Sequence, residues 1–214
     1  MLSKSILFQG LSAAQTEEAL RLFRAQEKSY GRGELLKTAT DPLPAFGLVL
    51  AGHVAVTMED IDGREMLLAN VTPGQTFGES LCYLRESAPI TILARADSHV
   101  LWLRCDALRA PADSLLAREL QARFTAMLAR RTLRMNDRIQ ILSRTGLREK
   151  LTALFTECAR DAGGPRFTLP FDRAGMAAYL GVDRSALSRE LSRMRREGLI
   201  DFHKDAFLLL RDHP

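Results

Sequence analysis

Between Asp183 and Glu197, the side chains of Arg184, Ser185, Ser188, Arg189, Arg193 and Arg196 recur at spacings that share one face of a helix. That set can read a nucleic acid. An arginine fork donates two parallel hydrogen bonds to guanine O6 and N7, and a serine hydroxyl donates to or accepts from a base edge. The opposite face carries Ala186, Leu187, Leu191 and Met194, three or four residues apart, and turns inward. Asp183 can cap this helix by accepting from the unpaired N–H groups of its first turn.

The surrounding elements can present that helix to a major groove. Asp172 is placed to cap a preceding helix whose apolar face is Met176, Ala177 and Leu180. Gly181 follows, where a stop and a tight turn call for positive φ. After Gly198, Leu199–His203 and Ala206–Leu210 read as two short strands about a Lys204–Asp205 turn, a wing. The expectation is a winged helix-turn-helix with its second helix in the groove. The competing reading is a helical hairpin with a solvated basic face.

Composition agrees with that placement. The chain has 214 residues, room for two small domains, and is 46% hydrophobic and 26% charged with a net charge of +4. Charge is unevenly spread. Residues 1–112 carry 11 Lys+Arg against 13 Asp+Glu, and residues 113–214 carry 19 against 13. The basic half is the half with the helix-turn-helix, as binding to a polyanion requires. No apolar run is long enough to span a membrane, and the start MLSKSILFQG lacks a signal-peptide pattern, so a cytoplasmic location with no membrane partner is expected.

Catalytic and metal chemistry find no support in the residue pattern. Cys82, Cys105 and Cys158 are far apart, with no CxxC and no N-terminal cluster for iron–sulfur or structural zinc. No Ser/His/Asp or Cys/His set and no phosphate loop stands at a working spacing. No catalytic residue, metal ligand or resident cofactor is therefore assigned.

Along the chain, Ser12 and Gln15 form a capping box for a helix from Ala13 to about Arg24. Short β-prone runs follow at Phe46–Leu50, His53–Met58, Glu65–Asn70, Ile90–Ala94 and Val100–Leu103. Turn signals at Asp41–Pro42, Ala51–Gly52, Asp62–Gly63 and Pro73–Gly74 separate them, as in an antiparallel barrel or roll. From Asp113 to Leu142 there is no Gly or Pro. Leu116, Leu120, Phe124, Leu128, Thr132, Met135, Ile139 and Leu142 make one apolar stripe on a helix of about 30 residues, roughly 45 Å long. A narrow stripe on so long a helix points to pairing with a second copy through Leu116, Leu120, Phe124, Leu128, Met135, Ile139 and Leu142. Packing on its own roll is the alternative. A hinge at Ser143–Gly146, a helix at Leu147–Arg160 and a strand at Phe167–Pro170 lead into the helix-turn-helix.

With its segments LAGHVAV, DGREMLLANVTPGQTFGES and DRSALSREL, the chain resembles the cyclic-AMP receptor/fumarate-nitrate regulator (CRP/FNR) family of bacterial transcription factors over nearly its whole length. The resemblance implies an α+β architecture in three parts. Residues 1–112 would be a cupin-like antiparallel β-roll of the cyclic-nucleotide-binding kind that senses an effector. Residues 113–144 would be a dimerisation helix and hinge, and 145–214 a winged helix-turn-helix. It also implies a homodimer that binds a palindromic operator in double-stranded DNA and acts on RNA polymerase. A module that binds a small molecule and works through protein contacts is the alternative, disfavoured by the arginine-rich outer face.

Site residues carry over in part. Gly78 and Glu79 match the Gly-Glu pair whose carboxylate takes a ribose hydroxyl, with Ser80 next to them. Ile90 and Thr91 stand where an Arg-Ser pair would hold the cyclic phosphate, and Met135 and Asn136 replace the pair that reads adenine. Without the guanidinium, a buried phosphate loses its bidentate contact, so cyclic AMP is not the expected effector and the effector is left unidentified. Arg85 and Arg95 are the nearest cations for a different anion. On the DNA side, base-reading positions fall on Arg184, Ser185, Ser188 and Arg189. Ser185 replaces a common Glu, and Arg173 and Asp183 match positions near the phosphate backbone.

Overall fold

The structure is a computed structural model describing residues 2–39, 41–59, 65–169 and 171–210. The expected Asp62–Gly63 turn and Pro170, the expected end of a strand, lie outside those residues. The chain divides into two compact units, Met1–Thr132 and Leu133–Pro214.

The N-terminal unit opens with a short 3-10 turn at Leu2–Lys4 and α1 (Ala13–Leu22), whose capping box forms as expected. Ser12 Oγ accepts from the Gln15 amide at 3.2 Å, and Gln15 Oε1 accepts from the Ser12 amide at 2.9 Å. The strands are β1 (Gln26–Tyr30), β2 (Leu35–Lys37), β3 (Ala45–Ala51), β4 (Val54–Glu59), β5 (Glu65–Val71), β6 (Thr76–Phe77), β7 (Ile90–Ala94) and β8 (Ser98–Arg104). They form two four-stranded antiparallel sheets, β1-β8-β3-β6 and β2-β7-β4-β5. Burial alternates along β7, with Ile90, Ile92 and Ala94 inward, as a half-buried strand requires. Two short helices, α2 (Glu79–Leu84) and α3 (Asp106–Arg109), complete the unit before α4 (Leu115–Leu142) begins.

The first part of α4 corrects the reading of its stripe. Leu116, Leu120 and Phe124 are buried in the same core as Phe8, Phe23, Phe46 and Leu103 of the roll. They are spent on their own chain and are not available to a partner helix. After Phe124 the roll-facing side follows Met127 and Arg131, with Leu128 packed at its edge, while the expected stripe runs on to the exposed Thr132. Leu128 and Leu142 are half-buried, and Met135 and Ile139 are 60% and 58% exposed. Leu133, absent from the expected stripe, is exposed beside them.

The C-terminal unit holds α5 (Leu147–Ala162), β9 (Arg166–Thr168), α6 (Arg173–Leu180), α7 (Arg184–Arg196), β10 (Ile200–His203) and β11 (Ala206–Leu209). Its three strands pair in the order β10-β11-β9. The core collects Leu151, Leu154 and Phe155 of α5, Met176 and Leu180 of α6, and Leu187, Leu191 and Met194 of α7. Gly181 ends α6 at φ 64, and the Val182 amide returns to the Ala177 carbonyl at 3.0 Å. Lys204 sits at φ 55 in the wing turn.

Candidate functional site

The caps of the helix-turn-helix fall where the sequence puts them. Asp172 Oδ1 accepts from the Gly175 amide at 2.8 Å. Asp183 Oδ1 accepts from the Ser185 and Ala186 amides at 2.8 and 2.9 Å, and from the Ser185 hydroxyl at 2.5 Å. Those bonds, the hydroxyl first, hold the Asp183 carboxyl below the usual carboxylate range. Asp183 is thus a cap.

Arg184, Ser185, Ser188, Arg189 and Arg193 are all exposed on α7. Among the described residues no carboxylate forms an ion pair with Arg184 or Arg189. Arg193 differs: its Nε donates to Glu197 at 3.0 Å, so it is drawn back along its own helix. The two serines have already committed their protons. Ser185 donates to Asp183, and Ser188 donates to the Arg184 carbonyl at 2.9 Å. Their outward lone pairs suit an incoming amino group, such as cytosine N4 or adenine N6.

Two contacts that the sequence did not reveal hold this surface. Arg148 of α5 reaches α7, with Nε 2.5 Å from Glu190 and Nη1 2.7 Å from Glu197. It pairs with Glu190 of α7 and with Glu197, the cap at its C-terminus, and so ties α7 to α5. Arg173, the first residue of α6, lies over the rings of Phe202 and Phe207 at 4.5 and 5.0 Å. Arg148 stands alone among polar residues early in a helix, and only the carboxylates on α7's flank hint at a partner.

The candidate effector turn is built differently. Gly78 takes φ 79 and N-caps α2, and a Cβ there would meet Leu43 Cδ2 at 2.2 Å. Glu79 next to it is only 2% exposed. Its Oε1 accepts from the Thr76 hydroxyl, and its Oε2 accepts from Arg131 Nη1 at 2.5 Å. Both carboxylate oxygens are therefore taken by the chain itself. Ser80 is exposed. Ile90 is buried among Val56, Ile92 and Phe77, and Thr91 pairs with Thr57 across the sheet. Neither makes a polar contact with Glu79. Met135 and Asn136 are exposed on the part of α4 that belongs to the C-terminal unit.

The cation beside Ile90 is one the sequence did not single out. Lys37 is 3% exposed, and its ammonium donates to the carbonyls of Thr38, Ile90 and Ala88 at 2.7, 3.2 and 3.4 Å. Burial pushes its pKa down, and Asp41 nearby opposes that. Arg85 instead lies 4.0 Å from Asp106. The buried thiol of Cys82 donates to the Pro44 carbonyl at 3.4 Å, and burial pushes the Cys158 thiol up to about 12.

Comparison with known proteins follows the same division. Residues 27–113 match the cyclic nucleotide-binding domain family and residues 149–213 the Crp-like helix-turn-helix domain family. A cyclic AMP receptor protein of Thermus thermophilus is 29% identical over 201 residues, covering 92% of this chain and 88% of that protein. The structure of FixK2 from Bradyrhizobium japonicum superposes with a TM-score of 0.64 at 25% identity, over 87% of this chain and 93% of that one. The c-di-GMP responsive global regulator CLP of Xanthomonas campestris shares the fold, with a TM-score of 0.69 at 17% identity over 94% and 100% of the two chains.

Proposed function

The chain belongs to the CRP/FNR family of bacterial transcription regulators, and from that premise we propose that it is a cytoplasmic homodimer that binds a palindromic operator and acts on RNA polymerase. In this reading residues 1–112 sense an effector, 113–144 join two copies, and 145–214 read DNA. The observation that carries it is the pair Arg184 and Arg189, exposed at the first and sixth positions of α7 with no ion-pair partner among the described residues. An exposed guanidinium with no ion-pair contact, on a groove-sized helix, is the donor set that guanine O6 and N7 accept. Ser185 and Ser188, with lone pairs outward, would accept from cytosine or adenine in the same half-site. A gel shift on genomic fragments tests the reading. Binding should weaken by orders of magnitude between about 50 and 200 mM salt, as counterion release demands. A complex indifferent to salt would contradict it.

The seam of the dimer lies on Met135, Ile139 and Leu142 of the α4 stripe, with the exposed Leu133 beside them and Leu128, which packs on the edge of the roll core, at its start. The effector is a small molecule other than cyclic AMP. Ile90 offers a cyclic phosphate no charge, Glu79 is already paired with Arg131, and the Lys37 ammonium is spent on three carbonyls. A phosphate entering unneutralised bears a desolvation cost. Calorimetry should detect no tight complex with cyclic AMP, and a micromolar dissociation constant coupled to higher operator affinity would overturn this.

A further inference from the structure

Phe202, Phe207 and Phe167 stand in register across β10, β11 and β9, so their side chains share one face of the wing sheet. Phe202 and Phe207 are 5.5 Å apart, centroid to centroid. The guanidinium of Arg173 lies over both, from the first turn of a different element, α6. Stacking occupies the face of a guanidinium and leaves its N–H fork free in the plane. Among the described residues the Arg173 side chain has neither a hydrogen bond nor an ion pair. Arg195, also over Phe202 at 5.2 Å, makes the contrast: Asp201 neutralises it at 2.8 Å. Arg173 is half-buried, and burial lowers its pKa with no counter-charge to offset the cost. It also opens α6, where the helix dipole favours an anion.

We propose that Phe202 and Phe207 are positioning residues that hold Arg173 ready for a phosphate of the DNA backbone, so that the wing contributes to DNA binding through Arg173. This rests on the DNA-binding reading above. It gives the wing a role independent of base recognition, since a phosphate contact fixes register without reading sequence.

A double-mutant cycle on the full chain tests it, with a bound operator and an unrelated duplex as probes. Arg173→Ala should weaken both duplexes alike, about tenfold, and lower the salt slope by about one per half-site. Phe202→Ala should weaken both by about threefold to tenfold. Phe202→Trp, which keeps the ring, should bind within about twofold of wild type. The double variant should bind no worse than Arg173→Ala alone. Phe202→Leu keeps apolar bulk without a ring and replaces Phe202→Ala should the latter fail to fold. Effects of Arg173→Ala and Phe202→Ala that multiply would overturn the proposal while leaving DNA binding intact. So would a Phe202→Ala protein, or its Phe202→Leu substitute, that binds like wild type. Wild type with no salt-dependent affinity for either duplex would remove the DNA-binding reading and this proposal together.

Discussion

Glu79, at the start of α2, and Arg189, midway along α7, are both charged residues of their working elements, yet the protein treats them in opposite ways. Glu79 is buried and has both oxygens occupied by Thr76 and Arg131. Arg189 is exposed and has no ion partner among the described residues. The first arrangement is closed and needs nothing from outside. The second leaves a guanidinium without a direct ion pair on an exposed helix face, where a polyanion can supply one. A residue's type therefore says less about function than whether its own chain already satisfies it.

The largest effect should come from opening the closed arrangement. Arg131→Met leaves the Glu79 carboxylate buried and unpaired, which should cost about 3–5 kcal/mol in urea unfolding at neutral pH. Adding Glu79→Gln should restore most of it, because the unpaired charge goes with it. An Arg131→Met protein as stable as wild type would show that the pair does not hold the turn. The two halves of α4 make a second contrast. Ile139→Glu places like charges in an exposed apolar seam and should weaken dimerisation by about 2 kcal/mol, or roughly 30-fold by sedimentation, with the fold retained. Leu120→Ala in the roll core should act on stability and leave association alone. Equal oligomeric states for wild type and Ile139→Glu would place the seam elsewhere.

The smallest effect concerns the cap of α7. The Asp183 carboxyl is held low by the Ser185 hydroxyl and by amides of its own helix. A carboxyl whose folded pKa is depressed stabilises above its unfolded value, near 3.9, and loses that contribution as pH falls through the folded one. Any margin of wild type over Asp183→Asn should be present at pH 7 and shrink as pH falls below the unfolded value near 3.9. A margin that grows on acidification would contradict the assigned bonds.

These contrasts also mark what the sequence could reveal. Caps, Gly181, the inward residues of α7 and the wing are local signals, each set by a few neighbouring residues, and they were legible. The strand Gln26–Tyr30 was not: four of its five residues are exposed at a sheet edge, so no alternation marks it. Leu35–Lys37 and Thr76–Phe77 are too short to carry a period. The α4 stripe was legible as a stripe, but which half met the roll depended on where the roll ended in space. The Arg131–Glu79 and Arg148–Glu190 pairs join residues 52 and 42 positions apart, and no local pattern encodes such partners. One clue was available. Arg131 continues the Phe124–Met127 face of a helix turned toward a core, and a cation there calls for a buried carboxylate.

Selection of bound duplexes from a random pool, with wild type and Arg189→Ala side by side, tests the central claim most directly. Wild type should enrich an inverted repeat with a guanine in each half-site. Arg189→Ala should lose preference at that guanine, about 1–3 kcal/mol per half-site, while still forming a dimer. A wild-type protein that enriches no sequence, or a variant that keeps the same guanine, would contradict the reading of α7 as the element that recognises DNA.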